Sequence, residues 1–271
     1  MPEWPEMEHY KRMLNRQIAG QTITSTVVQR EKSLNVTTDV FHTLVIGRTV
    51  THIERRAKML LFQLDDGHTL LLHLMLGGWM FYGTEEEKPQ RTIQITLQFG
   101  NIAHNLYFIG LRLGYLHIYN PNELEQRLAD LGPDPFEPSF TISEYRNLLN
   151  NKHSPLKVIL TDQSVIAGIG NCYSDEICFA SRIRPSRRPE SLSTSEWQSL
   201  YEGMHATLRE AVDYGGYMDH SFMSDDRITG GFDSRCKVYD REGEPCYRCG
   251  NLIRREDIGA KKSFYCPQCQ S

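Results

Sequence analysis

The sequence of 271 residues lacks the features that would place it in several broad classes of protein. It contains no run of about 18 apolar residues, so we expect no membrane-spanning helix and no membrane partner. The first residues show no basic segment followed by an apolar core, which argues against secretion and favours a cytoplasmic protein. Internal repeats and low-complexity tracts are missing as well.

Positive charge is not in excess either. The 30 lysines and arginines face 34 aspartates and glutamates, which gives a formal net charge of −4, and the sequence pI is about 6.2. This balance argues against a protein that binds nucleic acid through bulk charge, although it does not exclude a local basic surface.

The chain has seven cysteines, and without a secretion signal we expect thiols rather than disulfides. Four of them form a pattern of two short pairs joined by a longer loop: Cys246-x2-Cys249-x16-Cys266-x2-Cys269. Tetrahedral zinc takes four protein ligands at such spacings in closed structural sites. The spacing therefore predicts one structural Zn²⁺, while Cys172, Cys178 and Cys236 fit small packed residues.

The hydrophobic pattern divides the chain into a β-rich part and a helical part. After a predicted helix at residues 6–16, alternation from about residue 22 to 119 predicts antiparallel strands in a sandwich or barrel. A proline-rich stretch follows, and then the capping signals Thr141-x-x-Glu144 and Ser193-x-x-Glu196 predict helices, the second ending at Gly215-Gly216. Residues 217–234 lack periodicity and are predicted to form a long loop.

The opening residues, Met1-Pro2-Glu3-Trp4-Pro5-Glu6, allow two interpretations. One is a helix start with proline and acidic residues at its positive end. The other requires removal of Met1, after which Pro2 carries a secondary amine that titrates near about 7.7–8.0 and can attack an electrophilic sugar carbon. In that case the Glu3 carboxyl is placed to move protons.

Two further motifs leave a structural and a functional interpretation open. The turn Ala167-Gly168-Ile169-Gly170-Asn171 is either an ordinary helix connection or an anion site that binds a DNA phosphate, with Lys157 and Arg182–Arg188 supplying positive charge. Lys58 stands at a strand entry, where a lysine is normally a surface residue. The segment His73-Leu74-Met75-Leu76-Gly77-Gly78 is either a core strand with its turn or an exposed apolar wedge that enters stacked bases.

Together these motifs resemble the formamidopyrimidine-DNA glycosylase family, which also contains endonuclease VIII, over essentially the whole chain. The resemblance implies an α+β multidomain fold. Its parts are an N-terminal antiparallel β-sandwich with a helix (1–120), a linker (121–140), a helical helix–two-turn–helix domain (141–235) and a C-terminal zinc ribbon with a β-hairpin (236–271). The loop at about 217–234 corresponds to the one that covers the extruded base.

The resemblance also implies roles for individual residues. Pro2 attacks C1′ of a flipped nucleotide and forms a Schiff base, Glu3 protonates or orients the opened sugar, and Lys58 binds phosphate and assists β-elimination. The implied DNA contacts are His73, Leu76, Arg112, Leu113, Lys157 and Asn171. Lys261, at the tip of the zinc hairpin, occupies the place of an arginine that acts in δ-elimination.

Several departures from the family pattern affect substrate preference more than chemistry. The three residues inserted into the gap left by the flipped base, usually Met, Arg and Phe, correspond here to Leu76, Leu111 and Leu113. Loss of the inserted arginine predicts a weaker preference for cytosine opposite the lesion. Lys261 puts δ-elimination in question because lysine does not replace arginine at bidentate sites, and Trp4 next to the nucleophile is expected to reshape the base pocket.

Three functions are consistent with parts of this sequence. The first is a monomeric bifunctional DNA glycosylase of base excision repair, a hydrolase of N-glycosyl bonds with abasic-site lyase activity, that acts on damaged double-stranded DNA. The alternative is a non-catalytic or weakly catalytic damage-recognition protein on the same scaffold, and a remote third is an unrelated zinc-ribbon module. Retention of Pro2, Glu3 and Lys58 favours the enzyme.

Overall fold

The computed structural model describes residues 1–100 and 103–271, which form two compact units. The N-terminal unit contains Met1–Pro2, Glu6–Ala129 and Met218–Gly231, and the C-terminal unit contains Glu3–Pro5, Asp130–Tyr217 and Phe232–Ser271. Residues 3–5 therefore belong to the C-terminal unit although they lie near the N-terminus. Residues 218–231 belong to the N-terminal unit although they follow the helices of the C-terminal unit. The domain boundaries inferred from the sequence stay a prediction.

The N-terminal unit is built from strands preceded and followed by helices. Its elements are α1 (Trp4–Ile18, whose first two residues group with the C-terminal unit), β1 (Ile23–Val28), α2 (Thr38–Val45), β2 (Val50–Arg56), β3 (Met59–Leu64), β4 (Thr69–His73), β5 (Trp79–Gly83), β6 (Ile93–Phe99), β7 (Asn105–Ile109), β8 (Tyr115–Tyr119) and α3 (Pro121–Leu128). A 3₁₀ turn spans Glu31–Ser33.

These strands form sheets in the orders β1-β6-β7-β5 and β2-β3-β4-β8, with antiparallel pairing throughout. Inward-facing apolar residues of both sheets and of α1 share one hydrophobic core, in which the rings of Phe62 and Phe108 meet edge to face at 6.4 Å. Every second residue of a strand points to this core, and β3, β4, β5 and β7 are buried on their other face as well. The predicted antiparallel β fold is confirmed.

Local turn chemistry follows the sequence closely in this unit. The predicted hairpin turn at Asp65-Asp66-Gly67 joins β3 to β4, with Gly67 at φ +88° and the Leu64 amide donating to the His68 carbonyl at 2.9 Å. Helix α3 lies within the segment 121–140 that was predicted as a linker. It begins with a capping box between Asn120 and Glu123 and has Pro121 in its first turn.

The C-terminal unit is helical and ends in a small hairpin. Its elements are α4 (Ile142–Asn150), α5 (Leu156–Leu160), α6 (Asn171–Ala180), α7 (Thr194–Asp213), β9 (Arg254–Ile258) and β10 (Lys261–Tyr265), with 3₁₀ turns at Pro189–Ser191 and Asp233–Arg235. Both predicted caps are present, since Thr141 accepts from the Glu144 amide and Ser193 forms a capping box with Glu196. Trp197, Tyr145 and Tyr173 lie in the core of this unit.

The long loop predicted at 217–234 has an ordered central part. Phe222 is fully buried in the core of the N-terminal unit, where its ring lies 5.8 Å from that of Tyr10 and its carbonyl accepts from the Tyr82 amide at 2.7 Å. Asp226 closes the segment by accepting from the amides of Phe222, Ile228 and Thr229. The sequence had grouped this loop with the helical domain, whereas its contacts group Met218–Gly231 with the strands.

Within residues 1–100 and 103–271, no helix is long and apolar enough to cross a membrane.

Candidate functional site

The Glu3 carboxylate lies at the N-terminus of α6. It accepts hydrogen bonds from the backbone amides of Gly170 at 2.6 Å, Cys172 at 3.0 Å and Tyr173 at 3.4 Å, and the side chain is buried. The first amides of a helix attract an anion because they have no partners within the helix. A carboxylate of the chain itself therefore occupies these three amides, and binding of a DNA phosphate at this turn stays a prediction.

The turn before α6 has no room for a side chain at Gly168. Gly168 adopts φ +103°, and a Cβ at this position would lie 2.7 Å from Cδ1 of Trp4. The backbone amide of Trp4 donates to the Gly168 carbonyl at 2.9 Å. The glycine thus allows residues 3 and 4 to approach the turn closely.

Lys157 is fully buried, although it was predicted to contact phosphate. Its Nζ lies 2.7 Å from Oδ1 of Asp175, which is also fully buried, and donates to the Asn171 carbonyl at 2.7 Å. A side chain without accessible surface cannot reach a phosphate unless it moves, so the role assigned to Lys157 changes from direct contact to positioning. Asn171 itself is the first residue of α6 and is exposed.

In the N-terminal unit, Lys58 lies in the turn between β2 and β3 and is buried. The residue before it, Ala57, has φ +54°, a left-handed conformation that is uncommon for a residue other than glycine. Pro2 is also buried in this unit and directly precedes Glu3 in the chain. Positive φ is ordinary in a two-residue hairpin turn, so it is the burial of its side chain that distinguishes Lys58 from an ordinary surface lysine.

His73, at the end of β4, is neutral at physiological pH. Burial, together with the positive charges of Lys58 and Arg127, lowers its pKa to about 4. The ring stacks on Tyr115 with centroids 5.6 Å apart, and its Nδ1 accepts from the Met75 amide at 3.1 Å. This hydrogen bond leaves Nε2 as the protonated nitrogen, which makes His73 a neutral donor.

The three leucines predicted as a wedge do not share one environment. Leu76 and Leu113 are 67% and 63% exposed, whereas Leu111 is fully buried in the core of the unit. The Leu111 backbone is fixed by Gln94, whose Oε1 accepts from its amide at 3.0 Å, and by Ser33, whose hydroxyl donates to its carbonyl at 3.2 Å. The wedge predicted from the sequence is therefore reduced to Leu76 and Leu113, with Arg112 exposed beside Leu113.

The four cysteines predicted as zinc ligands come together in space. Their Sγ atoms all lie within 4.8 Å of one another, with 3.9 Å between Cys246 and Cys269 and 3.5 Å between Cys249 and Cys266. Sulfurs at the corners of a tetrahedron around zinc are about 3.8 Å apart for a Zn–S bond of about 2.3 Å. The donor set fits one structural zinc, and Cys172, Cys178 and Cys236 are buried packing residues as expected.

The hairpin of β9 and β10 places Lys261 next to its turn. Lys261 pairs with Ile258 across the hairpin, and the two residues between them, Gly259 and Ala260, have φ +56° and +60°. Positive φ at both central residues defines a tight hairpin turn that twists with the strands. Lys261 is partly exposed at this end of the hairpin.

Two acidic residues of α6 were not predicted to matter. Asp175 accepts from the Ser263 hydroxyl at 2.7 Å and from the Phe264 amide at 3.0 Å, both on β10. Glu176, whose pKa is raised by burial, accepts from the amides of residues 237–239 at 2.8–3.0 Å. The signal available in the sequence was an acidic pair inside an otherwise apolar helix segment.

The basic run Arg182–Arg188 is largely used inside the C-terminal unit. Arg184 donates to the carbonyls of Gln270 and Pro267 at 3.0 and 3.1 Å, and Arg187 pairs with Glu196 at 3.1 Å. These contacts give both arginines a structural function that the sequence pattern did not distinguish from DNA binding.

Family models match most of the chain. The Formamidopyrimidine-DNA glycosylase N-terminal domain matches residues 1–115, the Formamidopyrimidine-DNA glycosylase H2TH domain residues 131–222, and the "Zinc finger found in FPG and IleRS" residues 243–271.

Similar proteins extend over the full length of the chain. It is 35% identical over 276 residues to a formamidopyrimidine-DNA glycosylase of Cytobacillus firmus and 32% identical over 274 residues to one of Bacillus cereus, covering 100% of the chain in both cases and 100% and 99% of the relatives. Among solved structures, a Lactococcus lactis FPG mutant in complex with Fapy-dG containing DNA has a TM-score of 0.91 at 26% identity, with full coverage of both chains. The MutM (FPG) protein of Thermus thermophilus has a TM-score of 0.86 at 32% identity, with 99% and 98% covered.

Proposed function

The chain belongs to the formamidopyrimidine-DNA glycosylase family and is a DNA glycosylase of base excision repair, and we propose that it also cleaves the strand at the resulting abasic site. Its partner is damaged double-stranded DNA, in line with the DNA complexes of its structural neighbours. An enzyme that acts on a sugar carbon has to extrude the nucleotide from the stack. The monomeric state and the cytoplasmic location stay predictions.

The proposed nucleophile is the amine of Pro2 after removal of Met1. Its lone pair attacks C1′, the bond between C1′ and the base breaks, and opening of the sugar ring gives an iminium; loss of a C2′ proton then expels the 3′ phosphate by β-elimination. The observation that carries the proposal is the buried Glu3 carboxylate next to Pro2, held by backbone amides of α6. A carboxylate fixed in this way can transfer protons at the sugar without reorganising.

Phosphate binding is assigned within each unit separately. In the N-terminal unit Lys58, His73 and the exposed Arg112 supply an ammonium, a neutral imidazole donor and a guanidinium, and in the C-terminal unit the exposed Asn171 supplies an amide. Lys157 acts on Asn171 indirectly, because it donates to the Asn171 carbonyl and so holds the first turn of α6. Such contacts position the duplex and carry no base information.

Leu76 and Leu113 are proposed to fill the gap left by the extruded nucleotide. Both leucines are more than half exposed, so their side chains are available to a partner. Because the position occupied by the buried Leu111 cannot supply an inserted arginine, hydrogen bonds to the estranged base are lost. We expect excision rates to depend only weakly on the base opposite the lesion.

Lys261 is proposed to bind the phosphate on the hairpin side and to support the second elimination. A lysine is a compact point charge without the bidentate geometry of arginine. We expect the β-product to dominate in the wild type, Lys261→Arg to increase the δ-product, and Lys261→Ala to reduce the δ-product more than the β-product on denaturing gels. Equal loss of both products in Lys261→Ala would restrict Lys261 to binding.

The decisive experiment is borohydride trapping on duplexes that contain an abasic site, 8-oxoguanine, formamidopyrimidines or oxidised pyrimidines. We expect a covalent adduct at least on the abasic duplex, with mass spectrometry locating it on an amino-terminal peptide that begins with Pro2. Glu3→Gln should slow trapping strongly, whereas Glu190→Gln, an exposed glutamate of the C-terminal unit, serves as the matched control. Tight binding without an adduct on any duplex would instead favour the recognition protein.

A further inference from the structure

We propose that Trp4 is a positioning residue for the reaction, because a clamp between Trp4 and Asp134 fixes the segment that carries the Pro2 amine. The inference rests on the proposed function of Pro2. It assigns to Trp4 a role that differs from the expected reshaping of the base pocket, since the indole is 5% exposed and packs in the core of the C-terminal unit.

The clamp consists of directional bonds as well as packing. The indole Nε1–H of Trp4 donates to both carboxylate oxygens of Asp134 at 3.0 Å, and the backbone amide of Trp4 donates to the Gly168 carbonyl at 2.9 Å. The Trp4 ring lies on Phe136 with centroids 4.6 Å apart. Hydrogen bonds to an ionised acceptor in a buried setting are stronger and more specific than neutral ones.

Asp134 is held in place independently of Trp4. Its Oδ1 accepts from the Phe136 amide at 3.1 Å, and its own amide donates to the Glu137 carboxylate at 3.1 Å. The carboxylate is thus a prepared acceptor in a rigid turn rather than a group that follows the indole. A leucine or phenylalanine at position 4 would fill the space but leave this acceptor without the indole donor.

Residues 3 and 4 contact opposite ends of one short segment. Trp4 contacts Gly168, whose missing Cβ makes room for the indole, and Glu3 contacts Gly170 and Cys172. The clamp and the Glu3 carboxylate therefore locate the chain relative to α6 at two successive residues. Pro2 is joined to Glu3 by one planar peptide unit, about 3.8 Å between Cα atoms, so only the rotations next to that peptide separate its nitrogen from the fixed residues 3 and 4.

A change at Trp4 should consequently affect the rate of attack more than DNA binding. Misplacing a reacting atom by about 1 Å can cost about 100-fold in rate, and losing one buried hydrogen bond to a charged group typically shifts an equilibrium by about tenfold or more. We expect Trp4→Phe, which keeps an aromatic ring and removes the indole donor, to slow trapping about tenfold at saturating abasic duplex. Its affinity for a duplex with a non-reactive tetrahydrofuran site should change less than twofold.

The test compares Trp4→Phe, Asp134→Asn and the double variant with Trp197→Phe. Trp197 is a buried tryptophan of the same unit and controls for loss of packing alone. Asp134→Asn keeps one acceptor oxygen and should slow trapping less than Trp4→Phe, and the double variant should be no slower than Trp4→Phe because both changes break one interaction. Hydrogen exchange of residues 3–7 should increase in Trp4→Phe and stay unchanged in Trp197→Phe.

Wild-type trapping rates in Trp4→Phe would overturn the inference and leave the proposed function intact. Slowing of Trp4→Phe and Trp197→Phe to the same extent would reduce Trp4 to a packing residue and overturn it as well. If the wild type forms no adduct, the proposed function fails. Hydrogen exchange still tests the clamp in that case, because unchanged exchange of residues 3–7 in Trp4→Phe contradicts the clamp.

Discussion

Replacing Lys157 by methionine should destabilise the C-terminal unit strongly. The Lys157 ammonium and the Asp175 carboxylate are both fully buried and 2.7 Å apart. Methionine has a similar volume and removes the charge, so Asp175 would keep two hydrogen bonds from β10 but lose its counter-ion. A buried carboxylate left without its partner costs about 3–5 kcal/mol.

The expected loss is large enough to measure by thermal unfolding. For a unit of this size, about 1 kcal/mol shifts the melting temperature by a few degrees, so Lys157→Met should lower it by about 10 °C or more. The loss of stability should extend to α6 and β10, because Lys157 also donates to the Asn171 carbonyl and Asp175 accepts from the Phe264 amide of β10. Lys152→Met, a change at an exposed lysine in the same unit, should alter the melting temperature by less than about 1 °C.

The destabilisation should depend on pH in a defined direction. Burial raises the pKa of Asp175 to about 6, although Lys157, Ser263 and Phe264 lower it. Without Lys157 the folded-state pKa rises further above the unfolded value of about 3.9, so the folded state binds more protons and stability falls as pH rises. The difference between variant and wild type should grow as the pH rises above about 6 and should be smallest below about pH 6, where Asp175 is protonated in both folded proteins.

Two results would refute this reasoning. A loss below about 1 kcal/mol at pH 8 would mean that the carboxylate is solvated or neutral in the folded protein. A large loss that does not change between pH 8 and pH 5.5 would assign the effect to packing rather than to the unpaired charge. Lys157→Met with Asp175→Asn should recover part of the stability, because the second change removes the uncompensated charge.

Three further predictions concern the wedge, the metal and the histidine. Leu111→Ala should lower the free energy of unfolding by about 2–5 kcal/mol in denaturant titrations. Leu76→Ala and Leu113→Ala should change that free energy by less than about 0.5 kcal/mol but slow single-turnover excision. Equal losses of stability in the three variants would contradict the observed burial. Metal analysis should find one zinc per chain, and Cys249→Ser or chelation should remove it. Loss of the zinc should also abolish the protection of the β9 and β10 amides against hydrogen exchange, and amides that stay protected would show that the hairpin does not need the metal. His73 should titrate near pH 4 in histidine-resolved NMR because burial, Lys58 and Arg127 disfavour its charged form. The stability that it contributes is then lost as the pH falls from about 6.5 to 4. A measured His73 pKa above about 6 would refute the buried, neutral assignment.

The features that could be predicted from the sequence depend on residues close together in the chain. The cysteine pairs, the capping signals at Thr141 and Ser193 and the turn at Asp66-Gly67 each act within a few residues of the backbone, so their spacing carries the information. Strand alternation is local in the same sense, because side chains of a strand point to opposite faces in turn.

The burial of individual residues could not be predicted in this way. Leu111 and Leu113 are two residues apart, yet one is in the core and the other is exposed. Likewise, the sequence predicts Lys157 as a basic residue near an anion site. Its buried partner Asp175 lies 18 positions further along the chain, too far for a local pattern to indicate the pair. Which side of a segment faces the core depends on packing against residues that are distant in sequence.

The amino-acid sequence by itself determined the family, the zinc ligands, the antiparallel strands and the identity of the candidate nucleophile, because these rest on short spacings and local propensities. The tertiary structure alone decided what surrounds that nucleophile. Glu3 lies on the amides of α6 and Trp4 on Asp134, across separations of more than a hundred residues. Contacts of that range form only when residues distant in sequence are folded together, and in the proposed mechanism they hold the Pro2 amine in place.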